Sequence, residues 1–180
     1  EVFEIPNYSA GENKTICRLD TVQLNASGGQ SYVWSPSTGL SDPNAADPFS
    51  FTYNTRLYNV SITDSNGCTF VSSMIVTVNS LPQASAGADK SICFGSQTRI
   101  GGQPSGPVGS TYLWSPTVGL DNSPLAPNPA VSPDTSTTYT LLVTDTNGCM
   151  KENEVVVKVN PLPVVEVTEL PNYICEGDSE

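Results

Sequence analysis

The sequence predicts an all-β chain made of two β-sandwich domains in tandem, followed by the first strand of a third. Three observations carry this. The stretch "YVWSPSTGL" at residues 32–40 returns as "YLWSPTVGL" at residues 112–120. In both copies, apolar residues downstream alternate with polar ones, the period of a half-buried strand. An Asn-Gly pair then separates the last two alternating runs of each copy, and Asn-Gly is a strong hairpin signal.

The period of the repeat sets the domain size. Trp34 recurs as Trp114, a step of 80, and "TDSNGC" at 63–68 recurs as "TDTNGC" at 144–149, a step of 81. "NSLP" at 79–82 recurs as "NPLP" at 160–163. "IC" stands at 16–17, 92–93 and 174–175. Solenoid units run to about 20–45 residues, so this step is too long for one and instead matches a small autonomous domain. The expected division is residues 1–80, residues 81–161, and the first strand of a third repeat in 162–180.

Each copy is read in order. A first strand carries "IC". "TVQLNA" and "SYVWSP" follow in the first copy, "QTRIGG" and "TYLWSP" in the second. Trp34 and Trp114 are expected as core anchors, because burying an indole removes roughly 150–250 Å² from water, worth on the order of 4–6 kcal/mol gross. A domain of about 80 residues is near the lower limit for one core, so each copy needs its own anchor. The Ser-Pro that follows stops the strand, since proline has no N–H for the ladder. Tyr58, Val60 and Ile62, matched by Tyr139, Leu141 and Val143, form the next inward face, with Tyr58 and Tyr139 as further anchors. Met74, Val76 and Val78, matched by Val155, Val157 and Val159, close each copy. The linkers are short and contain proline, which favours extended, semi-rigid spacing.

Composition narrows the function classes. Lys plus Arg number 7 against 18 Asp plus Glu, a net charge of −11. Such a chain lacks the basic face that nucleic acid requires. No apolar run reaches the roughly 18–20 residues of a membrane-spanning helix, so no membrane insertion is expected. The opening residues show no signal-peptide pattern and read as the interior of a longer chain. Histidine is absent. That removes the commonest general base, the commonest transition-metal ligand and every Ser-His-Asp or Cys-His arrangement within the segment. No catalytic residue is nominated, and the expectation is that the segment is not an enzyme. Asn7, Asn13, Asn25 and Asn59 stand in Asn-x-Ser/Thr sequons that the second copy lacks, so they are not part of the repeat.

"YVWSPSTGLSD", "RLYNVSITDSNGC" and "LPQASAGADKSIC" together resemble the PKD-like, Ig-like repeats of giant secreted bacterial surface adhesins, including those of gliding bacteria exported by the type IX system. The resemblance covers almost the whole chain. It departs from the best-known PKD domains, which continue the tryptophan strand as Trp-x-Phe-Gly-Asp-Gly where Ser-Pro stands here. Antibody-type domains fit less well: their tyrosine lies two residues before the second cysteine, whereas Tyr58 lies ten before Cys68. The resemblance implies an Ig-like sandwich, export to the cell surface of a bacterium, and neighbouring repeats of the same chain as partners. Surface polysaccharide or other extracellular ligands would be engaged through other regions.

In an exported repeat, regularly placed cysteines read as a disulfide framework. There are two kinds, "IC" (Cys17, Cys93, Cys175) and "NGC" (Cys68, Cys149). Periodicity pairs Cys17 with Cys68 and Cys93 with Cys149, closing loops of about 50 residues worth roughly 4 kcal/mol each by chain entropy. Topology offers Cys17 with Cys149, if "IC" and "NGC" sit at opposite poles of one sandwich. The within-repeat pairing is the expectation, on the ground that the first strand is short or kinked; Cys175 pairs outside the segment. Asp64, Asp145, Glu12 and Asp89 are the weak calcium candidates, since carboxylates gathered at a junction can supply some of the six to eight oxygens calcium takes. Turn capping by Asp is the alternative, and no cofactor is expected. The resulting functional reading is a structural stalk of a large adhesin, spacing and bearing load for a distal binding region in surface attachment or gliding. The alternative is an accessory glycan-binding or spacer module of a secreted hydrolase.

Overall fold

The computed structural model describes residues 7–121 and 123–166. Among them there are twelve strands and no helix. The first six are β1 (Lys14–Cys17), β2 (Val22–Gln23), β3 (Ser31–Ser35), β4 (Phe49–Ser50), β5 (Arg56–Thr63) and β6 (Thr69–Asn79). They form a four-stranded sheet in the order β1-β6-β5-β3, faced by the two-stranded pair β2-β4. The second six are β7 (Lys90–Cys93), β8 (Thr98–Arg99), β9 (Thr111–Ser115), β10 (Ala130–Val131), β11 (Thr137–Thr144) and β12 (Met150–Asn160). They repeat the plan: β7-β12-β11-β9 faced by β10-β8. The chain is thus all-β, two sandwiches in tandem.

Each sandwich has its own core. Tyr58, Val60 and Ile62 of β5 point inward with Met74 and Val76 of β6, around Trp34, Leu24 and Leu40. Tyr139, Leu141, Val143, Val155 and Val157 do the same around Trp114, Ile100 and Val131. From Tyr58 along β5 and from Tyr139 along β11, every second residue is fully buried as far as Ile62 and Val143.

The repeated nine-residue stretch does more than place a tryptophan. β3 pairs with β5 on one side only and is therefore an edge. The following loop folds back over that edge. The Trp34 backbone N–H donates to Pro43 O at 2.8 Å and its indole N–H to Ala45 O at 2.9 Å. Trp114 donates in the same way to Pro124 O at 2.9 Å and Ala126 O at 3.0 Å. A covered edge cannot recruit a foreign strand, and a buried indole with its N–H satisfied loses nothing to desolvation. The Ser35-Pro36 and Ser115-Pro116 bonds, which end β3 and β9, are both cis.

Two features differ from expectation. "TVQLNA" and "QTRIGG" contain only the two-residue strands β2 and β8. Their remaining length pairs irregularly, as when Leu24 N donates to Pro48 O and Ala26 N to Ala46 O. The "LPQASAG" stretch is also not a bare linker. Ala86 is buried, its N–H donates to Asn153 Oδ1 at 2.8 Å, and its carbonyl accepts from Gly101 N at 2.8 Å. "SAG" at 9–11 docks alike: Ala10 is buried and Ser9 and Ser27 exchange backbone bonds. Gly11 and Gly87, both at φ 86°, then let the chain cross to β1 and β7, a turn that disfavours any residue with a Cβ.

Candidate functional site

β1 runs parallel to β6, in the register Lys14↔Val76 to Cys17↔Asn79. Cys17 therefore stands at the pole where the chain leaves the first sandwich. β5 and β6 are antiparallel, and their closed end pairs Thr63 with Thr69. Cys68 therefore stands at the other pole. Ten residues of β6 separate the two levels, about 33 Å at 3.3 Å per residue. Disulfide Cα atoms must lie within about 7 Å.

The within-repeat pairing is thus overturned: neither Cys17–Cys68 nor Cys93–Cys149 forms. β1 and β7 are short but run straight along β6 and β12, so neither bends back to its own turn. The structure instead links Cys17 to Cys149, with Cα atoms 5.5 Å apart. Cys149 follows the β11–β12 turn, so the leaving pole of the first sandwich is bonded to the entering pole of the second. Thr15, Ile16, Cys17, Leu19, Asp20, Thr21 and Asn79 line a shallow groove there, with Asn147 from the second sandwich on its rim. Cys68 and Cys93 are unbonded and exposed among the described residues. Cys175 lies outside the described residues.

The turn that presents Cys149 is rigidly built. Asp145 Oδ1 accepts from the N–H groups of Asn147 and Cys149, both at 2.9 Å, and Asp145 N donates to Cys149 O at 2.9 Å. Gly148 at φ 82° supplies the left-handed step. The loop is a three-residue turn closed by a glycine, not the two-residue Asn-Gly turn, since the asparagine keeps φ negative. The first turn is superimposable in its bonds: Asp64 Oδ1 accepts from Asn66 N at 2.8 Å and Cys68 N at 2.9 Å. The Cys68 N–H, followed by that of Asn66 and by the Tyr8 hydroxyl, holds the Asp64 carboxyl below its usual range against a smaller opposing effect of burial. Tyr8, which donates to Asp64 Oδ2 at 3.2 Å and stacks on Phe70 at 3.9 Å between centroids, is shifted up, first by burial and then by Asp64.

Three of the four calcium candidates are accounted for by turn and strand capping. Asp64 and Asp145 cap the hairpin turns. Asp89 Oδ1 accepts from Val156 N at 2.9 Å. Its counterpart is Asn13, which accepts from Ile75 N at 2.8 Å, and not Glu12, which is exposed. Aligning "NKTIC" with "DKSIC" exposes that correspondence in the sequence. Among the described residues these carboxylates are not brought together, and no group of three or more Cys, Asp or Glu is placed to hold a metal ion. The anchors sit in the cores: Trp34, Trp114, Tyr58 and Tyr139 are all buried. The Tyr58 hydroxyl meets Ser50 Oγ at 3.0 Å, and that of Tyr139 donates to Val118 O at 2.7 Å.

No family model and no curated protein matches the chain. Solved structures similar to it include Drosophila OTK extracellular domains 3–5, at 13% identity and a TM-score of 0.47 over 89% of this chain. The insect immune protein hemolin is similar at 15% identity and a TM-score of 0.42 over 87% of this chain. The PKD domain of the KIAA 1837 protein is similar at 24% identity and a TM-score of 0.40 over 48% of this chain and 93% of that one. This chain spans 63% of the first of these and 46% of the second. The sandwich assignment rests on the strand pairing itself.

Proposed function

We propose that this segment is a structural stalk of a large bacterial surface adhesin, holding a distal binding region away from the cell and carrying tension. The observation that supports the reading most is the Cys17–Cys149 bond between successive repeats. A catalytic or ligand-binding module gains little from being welded to its neighbour at its poles, whereas a spacer gains stiffness. The parallel pairing of first and last strands, β1 with β6 and β7 with β12, supports it too. Where the Cys17–Cys149 bond does not carry the load, tension applied to the two ends of either sandwich loads all the bonds of such a pair together. Repeats of the same chain are the immediate partners in this reading, export through the type IX route and service in gliding are its finer form, and no reaction is assigned.

The accessory-module alternative has one feature in its favour. Phe51 and Tyr53 are exposed beside Thr38, Gly39 and Arg56 in a shallow depression of the first sandwich. Binding of soluble glycans by the isolated chain would favour it. The stalk reading is tested by single-molecule extension of a Cys17→Ser, Cys149→Ser chain held at its termini. Discrete unfolding peaks are expected, and a smooth, force-free extension overturns it.

A further inference from the structure

Cys68 and Cys93 are exposed thiols, yet each is the counterpart of a bonded cysteine. Cys68 matches Cys149: both follow Asp-x-Asn-Gly, both N–H groups donate to the aspartate Oδ1 at 2.9 Å, and both carbonyls accept from the aspartate N–H, at 3.0 and 2.9 Å. Cys93 matches Cys17: each ends a four-residue strand parallel to the last strand, opposite Asn160 and Asn79 respectively. The next residue donates to that asparagine's carbonyl in both cases, at 2.9 Å from Phe94 and 2.8 Å from Arg18. Each cysteine carbonyl then accepts from the N–H three residues on, Ser96 and Asp20, both at 3.0 Å. The step between these turns is left-handed in both, at Gly95 (φ 78°) and at Leu19 (φ 85°).

What differs between counterparts is the cover. Cys149 is fully buried, under the repeat that precedes it; Cys68 is exposed. By the topology above, Cys68 lies at the entering pole of the first sandwich and Cys93 at the leaving pole of the second, the two poles that take no part in the Cys17–Cys149 junction.

We propose that Cys68 and Cys93 are the two open halves of the same inter-repeat bond. Cys68 takes the "IC" cysteine of a repeat seated on the entering pole, and Cys93 takes the "NGC" cysteine of a repeat seated on the leaving pole. The occupant is a further repeat of this kind, because Cys17 and Cys149 show what covers each position when it is covered. The third "IC", at 174–175, is the sequence sign that the register continues beyond the second sandwich. Each bond forms as two thiols give up two protons and two electrons to a disulfide-bearing oxidant, which leaves as two thiols. The inference deepens the stalk reading in taking the neighbour to be another repeat, but it does not require that the array bear load.

Because Cys175 stands in register with Cys17, appending residues 18–180 directly after Cys175 builds a longer array without breaking the period. Folded in oxidised and reduced glutathione and mapped without reduction, this tandem should show Cys93 joined to the Cys68 of the appended part, alongside Cys17–Cys149. Cys93 joined elsewhere, or both thiols still open to iodoacetamide, overturns the proposal. The 180-residue chain gives a second measurement. Concentrated with oxidised glutathione, it should link copy to copy through Cys68 to Cys93. Symmetric Cys68–Cys68 or Cys93–Cys93 links, or none, overturn it. Force extension of the same tandem separates the two readings: discrete peaks without the Cys93–Cys68 bond leave the stalk standing and remove the second bond.

Discussion

Trp34 and Trp114 each close an edge, fill a core and satisfy a carbonyl of the covering loop. Replacing either with alanine removes the indole contacts and leaves Ala45 O or Ala126 O unpaired beneath the loop. The expected loss is roughly 3–5 kcal/mol, confined to the sandwich that carries the substitution. Calorimetry of the Cys17→Ser, Cys149→Ser background should show one transition moved and the other unmoved; two transitions moving together would contradict separate cores. Asp64 adds a pH dependence. Its folded-state pKa is depressed below the ordinary 3.8, chiefly by the Cys68 N–H. The stability it lends is therefore present above the unfolded value and is lost as pH falls through the lower folded value. Denaturation of the first sandwich from about pH 4 downward should steepen relative to an Asp64→Asn variant, whose amide does not titrate there. An unchanged acid limb in that variant would show the turn to be indifferent to the charge.

Among the elements, most strands were legible in the sequence, and β4 and β10 were not. β5 and β11 announce themselves through the apolar residues at every second position, Tyr58 to Ile62 and Tyr139 to Val143. β4 and β10 are two residues long, and no period can be read from two residues. β1 was legible from its recurring "IC", but its partner was not, because parallel pairing with a strand some sixty residues away leaves no local mark. That gap is what misdirected the disulfide pairing: the cysteine spacing is a property of sequence, and the 33 Å between poles is a property of strand direction. The same strand direction has a mechanical signature. With handles at the termini of the Cys17→Ser, Cys149→Ser chain, β1 must slide along β6 and all its bonds resist at once. With handles at Thr55 and Ser80, the β5–β6 hairpin opens one bond at a time. The first geometry should require markedly higher force, and equal forces would show that the parallel pair is not the point of resistance.

For the whole molecule, the Cys17–Cys149 bond sets how far the chain can be drawn out. The two cysteines are 132 residues apart in sequence. Pulled from its ends, the oxidised chain passes tension along β1, across the sulfurs and into β12. Everything between the two cysteines is a closed loop outside that route. Even with both cores melted, roughly 450 Å of contour at about 3.3–3.6 Å per residue stays hidden. Mild reduction during extension should release that length, and a trace with the same final length before and after reduction would show the bond to be absent. A strand of such units behaves less like a spring of unfolding beads than like a cable with a fixed maximum length: unfolding softens it without letting it lengthen, so whatever it tethers stays within a set distance of the surface.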